Sequence, residues 1–220
     1  MDIEAFIAEA RGADGSERAN YQLFVTRLCA LLGVDPPTYS AAETALNDYV
    51  FERRVEFVHP DGSRTPGFID CYKRDHFVLE AKQSAKRVGA AARGAGRGWD
   101  QVMLEARRQA ENYARALPVD HGYPPFLIVV DVGHVIELFA DFSGQGKNYA
   151  HFPDRASYRI RLASCVGRTC ASACAASFSI RTPSTRRGFR PASPGTWPGG
   201  SRGSPGGSRR ATTRRTWPSS

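Results

Sequence analysis

At 220 residues the chain has room for one ordinary domain, or for one domain and a tail. Its five cysteines, an odd number without a C-x-x-C pair, argue for reduced thiols in a cytoplasm and against a zinc knuckle. The net charge of +8 is no evidence that the folded part binds nucleic acid: residues 164–220 hold ten Arg and no Lys, Asp or Glu, leaving 20 basic and 22 acidic residues in the first 163, a net of −2.

The chain opens on Met1-Asp-Ile-Glu4, acidic and without the apolar core of a signal peptide, and no stretch approaches the ~18 apolar residues of a membrane helix, so a cytoplasmic protein is expected. Ile3 to Ala10 is a short amphipathic helix candidate. Glu17 to Leu32 is the next, with Leu23, Val25, Leu28, Leu31 and Leu32 recurring mostly at three and four and Gly33 suited to its end. After the Asp35-Pro36-Pro37 break, Ser40-Ala-Ala-Glu43 has the form of a capping box and predicts a third helix to about Asn47. These helices read as core and cover, with no chemistry assigned.

Tyr49 to His59 predicts a strand, with Val55 and Phe57 alternating against Arg54, Glu56 and Val58, and Pro60-Asp61-Gly62 a turn. Two apolar runs follow, Phe68 to Tyr72 and Phe77 to Ala81, joined by the polar turn Lys73-Arg74-Asp75; they read as an antiparallel hairpin. Residues 83–98 are small and basic and lack the frame of a phosphate-binding loop. Asp100 to Leu117 is a helix with the stripe Met103, Ala106, Ala110, Tyr113 and Leu117, and Gln109 and Tyr113 share a face. Phe126 to Val130 predicts a buried strand, Asp131 to Gly133 a turn, and Val135 to Phe139 a further strand. The order implies an α/β domain, a mixed sheet flanked by helices in three layers. The divisions expected are 1–48 for N-terminal helices packed on the core, 49–162 for the core itself, and 163–220 for a tail.

Three charged residues interrupt the hairpin: Asp70 in its first strand, Glu80 and Lys82 in its second. Alternation puts Glu80 and Lys82 on one face with Val78. A three-residue turn opposing Tyr72 to His76 would bring Asp70 to that face, diagonal to Glu80; a two-residue turn would send it to the Leu79 face unless a bulge restored the phase. Two carboxylates and a lysine at the end of buried strands are costly unless paired or metal-bound, and oxygen ligands with room for water suit Mg²⁺. The chemistry implied is metal-assisted phosphodiester hydrolysis, with the lysine orienting or deprotonating a water. The alternative is a solvated hairpin face with a Glu80–Lys82 pair.

Tyr49-Val-Phe-Glu-Arg-Arg54, Gly67-Phe-Ile-Asp-Cys-Tyr-Lys73, Phe77-Val-Leu-Glu-Ala-Lys-Gln83 and Gln109-Ala-Glu-Asn-Tyr113 occur in this order. Together with Phe126 to Gly133, Phe139 to Gly144 and Tyr149 to Leu162, they resemble the amino-terminal endonuclease domain of the MmeI-like type IIG/IIL restriction–methylation enzymes. The resemblance covers about Arg18 to Leu162. It implies a PD-(D/E)xK nuclease with a restriction-endonuclease-like core, in which Asp70 and Glu80 hold Mg²⁺ and Lys82 positions the attacking water, although Ile69 replaces the Pro that names the motif. Glu52 would be an accessory carboxylate just before the first core strand, and Gln109 and Tyr113 would match the supporting Gln-x-x-x-Tyr pair of RecB-like nucleases. Double-stranded DNA is the implied partner. S-adenosylmethionine would serve only a downstream methyltransferase, and neither Asp35-Pro-Pro-Thr38 nor Tyr123-Pro-Pro-Phe126 has the form of its catalytic corner. The alternative function is a catalytically idle remnant, or a DNA-binding fragment.

Residues 164–220 contain no Leu, Lys, Asp or Glu, one Val and one Ile, a composition that predicts disorder. The resemblance stops where that composition begins, which suggests out-of-frame translation beyond about Ala163; reading the locus in its other frames tests this.

Overall fold

A computed structural model describes residues 2–13, 15–83 and 97–165. Of the small, basic stretch 83–98, residues 84–96 lie outside the described residues, while Arg97 and Gly98 already belong to the helix that follows; the tail expected from residue 163 lies outside them from residue 166 on.

Two helices come first, α1 (Ile3–Gly12) and α2 (Glu17–Leu32). Ser16 caps α2 by accepting the amide of Ala19 at 3.3 Å, and Gly33 ends it with φ at +67°, a left-handed conformation that glycine adopts without strain. Leu23, expected in the stripe of α2, is exposed; the buried residues are Tyr21, Phe24, Val25, Leu28 and Cys29. The third helix predicted from Ser40 is one 3₁₀ turn, Thr44–Leu46. Its local hydrogen bonds go instead to Asn47, whose side chain accepts from the Ala41 amide and donates to the Ala41 carbonyl.

The sheet contains β1 (Tyr49–Val58), β2 (Arg64–Lys73), β3 (Phe77–Lys82), β4 (Phe126–Asp131), β5 (Val135–Ala140), β6 (Ala150–His151) and β7 (Arg159–Arg161). Six strands lie in chain order from β1 to β6, and β7 pairs with β5. Every pairing is antiparallel except that of β3 with β4. Parallel neighbours need a long crossover, and this one carries helix α3 (Arg97–Ala116). Asp100, expected to cap that helix, lies within its first turn.

The layers follow from which side chains each sheet face presents. Cys71, Leu79, Ala81, Ile128, Val130 and Leu138 pack with Phe6, Ile7, Phe24 and Leu28 of α1 and α2. On the opposite face Ile69, Tyr72, Val78, Leu127, Val129 and Phe139 pack with Trp99, Met103, Ala106 and Ala110 of α3. β3, β4 and β5 are buried along their whole length, so the sheet is the middle of a mixed α/β sandwich, as the element order predicted. The described fold runs past the expected boundary at Leu162 into a 3₁₀ turn ending at Cys165, both residues buried. Among the described residues no helix is long and apolar enough to cross a membrane.

Candidate active site

The hairpin of β2 and β3 turns one residue later than expected. Lys73 pairs with Phe77 and Tyr72 with Val78, and the three turn residues are Arg74, Asp75 and His76. Asp75 has φ at +59°, a left-handed conformation that Asp tolerates better than most residues, and the His76 amide closes the turn on the Lys73 carbonyl at 3.1 Å. Continued one residue further, this register would set Asp70 opposite Glu80 rather than diagonal to it, but the pairing ends at Cys71 with Leu79.

Simple alternation does not decide where Asp70 points, because the faces exchange at that place. On β1 Phe51 packs on the α1–α2 side while Val55 and Phe57 pack on the α3 side; on β2 Cys71 and Ile69 divide in the same way. All of these positions are odd, so each strand has lost its phase in between. The break falls at Glu52, with φ at +54°, and at Asp70 opposite it, between the pairs Phe51 with Cys71 and Arg53 with Ile69. Beyond Cys71 and Leu79 the described pairing of β2 with β3 stops, and the Asp70 carboxylate takes the place of a main-chain acceptor, receiving the Ala81 amide at 2.7 Å.

A cleft of about 430 Å³ opens at this parting of the strands. Asp70, Glu80, Lys82, Glu52, Gln109 and Tyr113 all line it, together with Glu17, Arg18, Tyr21, Pro66, Gly67 and Phe68. Glu80 is 1 % exposed and Lys82 9 %. The Lys82 ammonium donates to Glu80 Oε1 and, at 3.3 Å, to Gln109 Oε1; Gln109 Nε2 donates to the Tyr113 hydroxyl at 3.0 Å. Tyr113 stacks on Phe57 with ring centres 5.6 Å apart, and that stack needs Gly67, where a Cβ would come within 2.6 Å of Phe57 and 2.9 Å of Tyr113. Burial pushes the Asp70 carboxyl up to about 6, against the opposing pull of the Ala81 amide and Lys82. Burial and then the charge of Asp70 push Glu80 up to about 8, although Lys82 pulls it down.

These observations bear on whether the site suits Mg²⁺. Glu80 Oε2 is buried without a hydrogen-bond partner among the described residues, and two carboxylates repel each other beside it. A divalent cation would satisfy the oxygen and relieve the repulsion, and Mg²⁺ is commonly held by one or two carboxylates with waters completing its shell. The donor set therefore fits, with Asp70 and Glu80 as the residues that would hold the ion. No group of three or more His, Cys, Asp or Glu is placed to hold a metal among the described residues. Glu52 accordingly stays apart. It lies inside β1, not before it, and its carboxylate is held by Arg18 and by the Tyr21 hydroxyl at 2.5 Å. Its sequence neighbours turn elsewhere, Arg53 inward to the Thr44 carbonyl and Arg54 to Glu56 at 3.4 Å.

The periodicity of α2 reads as core and cover, yet Glu17, Arg18 and Tyr21 on its first turns line the cleft. The spacing of Glu17, Arg18 and Tyr21 does place them on one end of the helix, but nothing local says that this end meets the parting of β2 and β3. No curated protein and no solved structure matches the chain. The sequence model of the family described as "MmeI, N-terminal domain" matches residues 1–166, three quarters of the 220, and the chain belongs to that family.

Proposed function

We propose that this chain carries the endonuclease part of a restriction–modification system, which hydrolyses a phosphodiester bond of double-stranded DNA with Mg²⁺ held by Asp70 and Glu80. The family supports the restriction context. The observation that carries the chemistry is the buried Glu80 Oε2, without a hydrogen-bond partner among the described residues, on a side chain that lines the same cleft as Asp70 and Lys82. When bound, the ion supplies positive charge at the scissile phosphate and makes a water more acidic. The protein does the rest: the Lys82 ammonium orients the attacking water and steadies negative charge developing on the phosphate. Gln109, itself held by Tyr113, keeps that ammonium from collapsing wholly onto Glu80.

The test uses the 220-residue chain with plasmid DNA in Mg²⁺ and in EDTA, beside Asp70→Asn, Glu80→Gln and Lys82→Ala. Calorimetric titration with Mg²⁺ runs in parallel. Cleavage is expected only with Mg²⁺ and only in the parent sequence; ion binding should be lost in the two carboxylate variants and kept in Lys82→Ala. Undiminished cleavage by Lys82→Ala removes Lys82 from the mechanism. Ion binding without cleavage by the parent chain identifies an idle or purely DNA-binding fragment.

A further inference from the structure

The cleft presents a problem for any phosphodiester. Four carboxylates line it (Glu17, Glu52, Asp70 and Glu80) against two cations, Arg18 and Lys82. Lys82 is nearly buried and already donates to Glu80 and Gln109. Arg18 is different: its side chain is 68 % exposed and sits at the mouth. Its guanidinium grips Glu52 with two donors, Nε at 2.8 Å to one oxygen and Nη2 at 2.7 Å to the other. That forked geometry suits a phosphate as well as a carboxylate.

Glu52 is held there rather than resting there. It is one of two non-glycine residues with positive φ among those described, in the middle of a strand, and the Tyr21 hydroxyl fixes its oxygen at 2.5 Å while also reaching the Asp70 carbonyl at 3.2 Å. Backbone in this region persists where the surroundings impose it. Tyr21 is buried, and burial together with the bond to Glu52 pushes its hydroxyl far above the ordinary range, so it remains a donor.

We propose that Glu52 is a place-holder on Arg18, and that Arg18 exchanges it for a backbone phosphate of duplex DNA entering the cleft. An exposed ion pair is weak, so a phosphate brought in by further contacts can displace the carboxylate or share the guanidinium with it. Tyr21 then keeps Glu52 beside the vacated place as the positioning residue. The assignment rests on the nuclease reading for the identity of the ligand and not for its geometry.

The test is a double-mutant cycle of DNA affinity without metal. Fluorescence anisotropy of a labelled short duplex is followed in EDTA across a salt series, for the full chain, Arg18→Ala, Glu52→Gln and both together. Melting curves check that each variant folds. Arg18→Ala is expected to weaken binding and to lower the slope of log affinity against log salt by about one. Glu52→Gln is expected to tighten binding, and that gain is expected to vanish when Arg18 is absent. Arg18→Lys, with the charge but not the fork, should fall between. An equal gain from Glu52→Gln with and without Arg18 would mean general relief of negative charge and would overturn the proposal. So would an unchanged affinity and slope in Arg18→Ala, or failure of both the parent and Glu52→Gln to bind at the lowest salt. Because no metal is present, a chain that behaves as expected here yet does not cut with Mg²⁺ refutes the nuclease reading and leaves the Arg18 assignment intact.

Discussion

Glu137 and Glu80 are both buried carboxylates on the α3 side of the sheet, and the protein treats them differently. Glu137 on β5 is 3 % exposed and receives Arg159 Nε at 2.7 Å; the same guanidinium reaches Asp100 at 3.2 Å and lies over the rings of Trp99 and Tyr158. Glu80 on β3 is as deeply buried, but its cation reaches one oxygen, the other has no described partner, and Asp70 adds a like charge. Burial raises both carboxyls; at Glu80 the next largest influence is the charge of Asp70, which raises it further, whereas at Glu137 it is the charge of Arg159, which lowers it. One arrangement is closed and contributes to the fold. The other is short of positive charge, a condition natural proteins keep where function needs it.

The largest expected effect separates the two carboxylates by activity. Glu80→Gln should reduce Mg²⁺-dependent plasmid cleavage about a thousandfold, within the range for losing a positioned catalytic group, while Glu137→Gln should leave the rate of the folded protein unchanged. Equal losses would erase the distinction.

Stability should separate them with opposite signs. Removing the cation in Arg159→Met strands Glu137 in the sheet and should destabilise the chain by about 3–5 kcal/mol in urea unfolding. Neutralising the other site in Glu80→Gln should raise the stability of the metal-free chain by about 1 kcal/mol, as expected when a strained functional site is relaxed.

The third prediction concerns pH. Both Asp70 and Glu80 titrate above their ordinary values in the folded chain, at about 6 and about 8, so folding favours their protonated forms. Their contribution is fully present below the ordinary carboxylate range and is lost as pH rises to about 8. Metal-free melting temperatures should therefore decline across that window, less steeply in Asp70→Asn/Glu80→Gln. Adding Mg²⁺ should stabilise the parent more at pH 8 than at pH 5, and a stabilisation independent of pH would contradict the assignment of these two groups.

The remaining effects lie in the support behind Lys82. Gly67→Ala drives a methyl group into Phe57 and Tyr113 and should cost about 1–3 kcal/mol, as overpacking does. Tyr113→Phe removes the hydroxyl that accepts from Gln109 and also meets the Phe68 backbone, and should cost about 1 kcal/mol in thermal unfolding.

Much of this could be read from local pattern. The strands β3, β4 and β5 were legible as short apolar runs, and the α3 stripe Met103, Ala106, Ala110, Tyr113 and Leu117 is buried as its period required. The helix predicted from Ser40 failed because Asn47 bonds Ala41 and the segment keeps a single 3₁₀ turn. Alternation within β3 placed Val78, Glu80 and Lys82 together. It could not place Asp70, whose strand changes phase beside a left-handed Glu52, a residue type that gives no sign of that conformation.

The amino-acid sequence by itself determined the layered class of the fold and the nomination of Asp70, Glu80 and Lys82, because period and residue type act over a few neighbouring positions. Only the tertiary structure decided that β2 and β3 part at Asp70, that an amide of β3 is satisfied by a carboxylate, and that the first turns of α2 close the cleft. Those facts depend on contacts between segments from 11 to more than 60 residues apart, such as Ala81 with Asp70 and Asn20 with Gln83, and such contacts leave no periodic trace in either partner.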